Sequence, residues 1–247
     1  MKKPERYRLI LLYHEVTDEV ERLKPVRHID PAYSLHIDRF KEQMKALSDI
    51  QNLEVVPLDS FFTDDGKNHE IAITFDDGLQ GNYDHAANVL SFFKVKATFF
   101  ITVNDTGTPD YMTWEQLKEL DACGHSIQSH TLSHSMLAES SRQEITLELR
   151  KSKEIIEDNI GNQVSYLSIP LDSWNQTVID IARQVGYRAL FTSRVEPFHN
   201  HPDRYHFGRI PIKDHFTLTQ FLMLINPSSV RFHLTQNVNG IKNSIKS

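Results

Sequence analysis

Ile71-Ala72-Ile73-Thr74-Phe75-Asp76-Asp77-Gly78 sets an unbroken apolar run directly against two adjacent carboxylates and a glycine. A short apolar segment bounded by a turn signal reads as a strand buried on both faces. Two neighbouring carboxylates at its end are costly to bury, because like charges repel and both lose hydration. A cation relieves both costs. Alternation along an extended chain points neighbouring side chains different ways, so one aspartate can hold a metal while the other faces substrate. The plainer alternative is a turn, since Asp-Gly pairs are common turn formers.

Outward from this stretch, similar apolar runs occur at 9–13, 53–56, 97–101, 126–129, 166–169 and 189–191. Segments with helical period lie between them. Phe40, Met44 and Leu47 fall at i, i+4 and i+7, one apolar stripe. Thr113 with Gln116, and Ser141 with Glu144, have capping-box spacing. Gly124, Gly161 and Gly186 stand where a helix C-terminus takes a left-handed residue. Thr217 and Gln220 open a last apolar helix through Leu224, and Pro227 stops it. Strand-like and helix-like segments alternate, which predicts an α/β architecture with parallel strands.

The 247 residues, 39% hydrophobic and 24% charged, suit a soluble globular chain. A net charge of −6 argues against nucleic acid as the partner, since phosphate binding needs a basic face. Cys123 is the single cysteine, so no internal disulfide forms. Lys2 and Lys3 before Leu9-Ile10-Leu11-Leu12 faintly resemble a signal peptide, but Pro4, Glu5, Arg6 and Arg8 interrupt and the run is short. It reads as the first buried strand, a cytoplasmic protein is expected, and no run approaches the roughly 18 apolar residues of a membrane span. The expected division is a catalytic domain over residues 1–225 and a polar tail over 226–247 that has no acidic residue. No sequence signal specifies an oligomeric state.

His130-Thr131-Leu132-Ser133-His134 places two imidazoles four residues apart, on one face if the segment makes a helical turn. Thirteen histidines give roughly 0.7 such pairs by chance, so surface histidines are an even alternative for the motif alone. The context improves it. Gly124-His125-Ser126-Ile127-Gln128-Ser129 reads as a short strand delivering both residues to its C-terminal end, where the sites of α/β barrels gather.

These two motifs, with Trp114-Glu115-Gln116-Leu117 leading to Gly124-His125 and the stretch from Glu144 to Gly161, resemble the polysaccharide deacetylase family (carbohydrate esterase family four). The likeness runs from about Leu9 to about Leu224. It implies a distorted (β/α) barrel with fewer than eight complete units. It also implies that Asp77, His130 and His134 are metal ligands and that Asp76 is the general base. Three protein ligands leave a coordination position for water. Zinc is the default ion, with nickel, cobalt or iron also compatible with one carboxylate and two imidazoles.

The family's third motif, Pro-Tyr-Gly, supplies a backbone N–H to the oxyanion. Here the match is Ile169-Pro170-Leu171-Asp172, with Leu171 in place of the aromatic residue and Asp172 in place of the glycine. A donor at Leu171 survives the side-chain change. The arginine that many relatives carry before this proline is missing. Arg209, in Gly208-Arg209-Ile210-Pro211, is the candidate to hold Asp76, against the alternative of a surface arginine. The family's last motif, Leu-x-His, has no good C-terminal equivalent, because Arg231-Phe232-His233 lacks the leucine. Leu12-Tyr13-His14-Glu15-Val16 fits it instead, as in a branch with circularly permuted motif order, so His14 is the expected general acid.

Lesser candidates are Trp114, read as a core residue rather than a sugar platform, and His125, expected near the site. Asn82 and Tyr83 are possible substrate contacts. His199, His201, Asp203 and His206 read as a solvated loop rather than a second metal site. The resemblance implies removal of the N-acetyl group from an amino sugar in a surface glycan or its precursor. The alternatives are hydrolysis of another N-acyl or cyclic amide, and a non-catalytic glycan-binding relative.

Overall fold

Each apolar run of the sequence forms a parallel strand in a computed structural model that describes residues 7–18, 30–63, 68–198 and 205–226. The strands are β1 (Arg8–Tyr13), β2 (Glu15–Thr17), β3 (Ser34–His36), β4 (Leu53–Val55), β5 (His69–Phe75) and β6 (Ala97–Ile101). They continue with β7 (Ser126–Ser129), β8 (Tyr166–Ser168), β9 (Ala189–Phe191), β10 (His206–Phe207) and β11 (Ile210–Pro211). The helices are α1 (Ile37–Asp49), α2 (Ala87–Phe92), α3 (Trp114–Ala122), α4 (Arg142–Ile160), α5 (Gln176–Val185) and α6 (Leu218–Leu224).

The main sheet runs β10-β9-β8-β7-β6-β5-β1-β11, with β4 also paired to β5, and curls into an incomplete (β/α) barrel. Period-2 alternation divides its side chains between two cores. Ile10, Ala72, Phe100, Tyr166, Phe191 and Phe207 fill the inside of the curl. Their neighbours Leu9, Leu11, Ile71, Ile73, Phe99 and Ile101 face outward beneath the helices, where Phe40, Met44 and Leu47 of α1 meet them. Burying each such side chain contributes up to about 1.5–3 kcal/mol, enough to fix the register of every strand.

The helix signals also match their positions. Capping boxes form at Thr113–Gln116, Ser141–Glu144 and Thr217–Gln220. Gly124, Gly161 and Gly186 all have positive φ. The two-stranded sheet of β2 and β3 was not read from the sequence, because three-residue strands carry too little pattern. Pro227 and almost all of the polar tail lie outside the described residues.

The curl is closed by one short crossing. His206 and Phe207 pair with Leu190 and Phe191 of β9, and after two intervening residues Ile210 and Pro211 pair with Leu11 and Leu12 of β1. Gly208 and Arg209 bridge the two edges. A Cβ at Gly208 would lie 2.1 Å from the Arg194 carbonyl oxygen, so only glycine lets the chain pass there. The crossing turns Arg209 inward, and the guanidinium lies 5.4 Å from the Phe100 ring centroid, above the inner core.

Candidate active site

The C-terminal ends of β1, β5, β7 and β8 deliver His14, Asp76 and Asp77, His130 and Leu171 to one side of the sheet. These residues line a common cavity of about 160 Å³, together with His134, Tyr33, Ser193 and Arg209. Asp76 still belongs to the ladder, its N–H donating to the Tyr13 carbonyl at 3.0 Å. Asp77 does not. It takes φ 72, and Gly78 follows at φ 84. The two carboxylates are thus parted by a left-handed turn rather than by the extended alternation expected from sequence. Aspartate is among the residues that tolerate this region, and a Cβ at Gly78 would crowd Ile101 at 3.1 Å.

His130 and His134 are likewise not on a helical turn. Thr131 at φ 70 and His134 at φ 59 fold the segment into a loop. The reason lies on α4, where buried Glu148 takes the place of helical hydrogen bonds. Its carboxylate accepts the N–H groups of Leu132 and Ser133 at 3.0 Å each, and the Ser133 hydroxyl at 2.6 Å. Thr131 Oγ1 accepts the His134 N–H at 3.1 Å.

The loop brings both Nε2 atoms to one carboxylate oxygen. His130 Nε2 lies 3.4 Å and His134 Nε2 3.5 Å from Asp77 Oδ1. The ligand atoms of Asp77, His130 and His134 all lie within 4.8 Å of one another and could hold a metal ion. His130 Nδ1–H donates to the Ser168 carbonyl at 3.0 Å, which leaves the Nε2 lone pair facing the cluster, as a metal ligand requires. Burial alone would lower the His130 pKa, but Asp76 and Asp77 outweigh it and raise it. The negative field that favours a proton there also favours a cation, so this donor set fits a divalent metal.

Asp76 borders that set, its Oδ2 4.0 Å from His130 Nε2, but its hydrogen bonds go elsewhere. Arg209 Nη1 and Nη2 donate to its two oxygens at 2.8 and 2.7 Å, and Ser168 Oγ donates to Oδ2 at 2.8 Å. Arg209 also donates from Nε to the Thr192 carbonyl and from Nη1 to Thr74 Oγ1, both at 3.2 Å. Burial would raise the Asp76 pKa, but Arg209 and then His130 hold it well below the usual carboxylate range. Arg209 is 1% exposed, so the surface alternative does not describe it. Ser168 is a functional residue that sequence reasoning missed. Its one signal was a hydroxyl at the end of an apolar strand.

His14 follows β1, its ring 4.6 Å from that of Tyr33. Burial lowers its pKa, while Asp77 and Asp76 pull the other way. Its Nδ1 is buried and has no hydrogen-bond partner among the described residues. Leu171 sits at the cavity mouth, 63% exposed, with φ 54. Asp172 follows at φ 56, the conformation for which a glycine is the easy choice.

Several expectations are corrected. His125 is not near the site. It precedes β7 at the other end of the strand from His130, and its Nδ1 accepts the Ala97 N–H at 3.1 Å. Tyr83 donates to the Glu119 carboxylate on another face, where a separate groove also includes Lys96 and His125. Asn82 is fully buried and belongs to neither. Trp114, by contrast, packs against the outer core as expected. The His206 ring lies tilted against Trp174, with centroids 4.3 Å apart, while His199, His201, Asp203 and His233 lie outside the described residues.

The family model for polysaccharide deacetylases matches residues 63–190. The chain belongs to that family. This polysaccharide deacetylase relative is 30% identical over 188 residues to YxkH of Bacillus subtilis, itself assigned to the polysaccharide deacetylases, covering 74% of this chain and 63% of YxkH. It is 32% identical over 128 residues to a chitin deacetylase of Arthroderma benhamiae, covering 50% of this chain and 33% of that one. It thus spans less than two thirds of either. The Streptococcus pyogenes deacetylase PplD, solved with acetate, superposes with a TM-score of 0.80 at 21% identity, covering 90% of this chain and 99% of that one, and shows the same fold. Among the described residues no helix is long and apolar enough to cross a membrane.

Proposed function

We propose that this family member is a metal-dependent deacetylase that hydrolyses the N-acetyl group of an amino sugar in a glycan or glycan precursor. The observation that carries the reading is the division of labour between two adjacent aspartates. Asp77 faces two imidazole Nε2 atoms, while Asp76, one residue away, is gripped by Arg209. Asp77, His130 and His134 would hold the ion, zinc by the chemistry of the donors. When bound, such an ion supplies Lewis acidity toward the acetyl carbonyl and acidifies water.

The chain's own residues supply the rest. Asp76, kept ionised by Arg209, accepts a proton from the attacking water as its oxygen bonds to the carbonyl carbon. The Leu171 N–H stabilises the resulting oxyanion. His14 gives a proton to the amine nitrogen as the C–N bond breaks, leaving acetate and a free amine. In this reading His14, just after the first strand, does what the family's last motif does elsewhere, which is the permuted order. The family match and the chitin deacetylase relative support an N-acetylated glycan as substrate.

A second reading keeps the chemistry and changes the substrate to another N-acyl or cyclic amide. The exposed Leu171, standing where the family pattern has an aromatic ring, favours it. Acetate release from a panel of N-acetylated glycans and simple amides, with chelator and then with zinc restored, decides between them. Release from glycans that stops with chelator and returns with zinc is expected. Release from amides alone selects the second reading, and no release from either sinks both.

A further inference from the structure

We propose that Asp172 is a positioning residue that locks the Leu171 backbone in place by latching the turn after β8 to the exit of β9. This rests on the reading of Leu171 as an oxyanion donor. Leu171 and Asp172 are two successive non-glycine residues in the left-handed region, at φ 54 and φ 56. Aspartate tolerates that region, but leucine has no side-chain reason to remain there. The turn therefore persists only if its surroundings hold it.

The Asp172 side chain is what reaches across. Its Oδ1 accepts the Ser193 N–H at 3.0 Å, and its Oδ2 lies 3.5 Å from Arg194 Nε. The Arg194 guanidinium also covers the Trp174 ring at 5.4 Å, and the Trp174 N–H donates to the Asp172 carbonyl at 3.1 Å. On the other flank Ser173 Oγ accepts the Ala138 N–H at 3.1 Å. The latch lands on Ser193, next to Thr192, whose carbonyl anchors Arg209. A glycine at 172 would satisfy the backbone angle without strain, yet it could not make the bond to Ser193. In this chain the aspartate thus does two things that the family's glycine cannot do together, accepting the left-handed angle and fastening the turn to the neighbouring strand.

The test compares Asp172→Gly, Asp172→Ala and Asp172→Asn in the full zinc-loaded chain. Asparagine tolerates the same angle and keeps an oxygen for the Ser193 N–H, so it should behave like the parent. Glycine and alanine should lower kcat by about 10- to 100-fold, the scale of a misplaced catalytic group, with KM and zinc content unchanged. Hydrogen exchange at the Ser193 amide should quicken, and the Leu171 amide resonance shift, in the same two variants only. A glycine variant with parental kcat overturns the proposal, as does a Ser193 amide indifferent to all three changes. If the parent releases no acetate from any substrate, the functional reading fails separately, and the two amide measurements still decide whether the latch exists.

Discussion

Arg209 grips both oxygens of Asp76, at 2.8 and 2.7 Å, from the one point where the chain crosses between the two edges of the sheet. They stand 133 positions apart in the chain, the arginine where the barrel closes and the aspartate where a strand ends. Closure and chemistry are thereby joined. Any change that loosens the crossing also frees the carboxylate.

Removing one partner of such a buried pair leaves an uncompensated charge. Arg209→Met should destabilise the fold by about 3–5 kcal/mol, seen as a lower urea midpoint. Adding Asp76→Asn should return a large part of that loss, because the orphan charge is then gone. A double variant no more stable than Arg209→Met would mean that Asp76 is not ionised in the fold.

Asp76→Asn alone separates base from ligand. It should retain zinc by elemental analysis and lower acetate release by about 100-fold or more. His130→Ala should lose the metal itself. Zinc loss in the Asp76 variant would instead make Asp76 a ligand, undoing the division of roles.

His14 calls for a different measurement, since its proposed task concerns the leaving group. His14→Ala should slow the release of acetate from an N-acetyl sugar by about 100-fold or more. It should slow an activated aryl acetate far less, because that leaving group departs without a proton. Equal losses on both substrates would remove His14 from the acid role.

The strands, the caps and the two metal-type motifs were legible in the sequence because each is local. An apolar run ending in Asp76-Asp77 and two histidines at a strand's end need no distant partner to be noticed. The conformation between His130 and His134 was not legible, since spacing of four suits a helical turn and a loop alike. What decides is Glu148 on α4, which offers better acceptors for the Leu132 and Ser133 N–H groups than a helix would. Arg209 could be named but not placed, because its burial depends on Gly208 and on the closing of the curl. His125 misled for the opposite reason. It neighbours the motif in sequence, but a four-residue strand carries it to the far end.

Glu148 therefore has its own consequence. It touches no ligand atom, yet it fixes the loop that carries both histidines. Glu148→Ala would leave two backbone donors without their acceptor and let His134 wander. Zinc affinity should fall by about 10- to 100-fold, the usual effect of losing a group that orients ligands. Competition with a chromophoric chelator measures it, and an unchanged affinity would show that the loop holds itself.

His125 gives the fold a pH dependence independent of the metal site. Burial, and secondarily the charge of Lys96, push its pKa down to about 4 from an ordinary value near 6.5. The folded chain keeps the ring neutral where the unfolded chain binds a proton, so unfolding takes up protons between those two values. Stability linked to His125 is complete above about pH 6.5 and is lost as the pH falls toward 4. Allowing for solvent screening, the loss is roughly 1–2 kcal/mol. His125→Asn keeps an acceptor for the Ala97 N–H but cannot titrate, so its urea midpoint should fall less steeply than the parent's between pH 6.5 and 4. Parallel slopes in the two proteins would show that His125 charges freely within the fold.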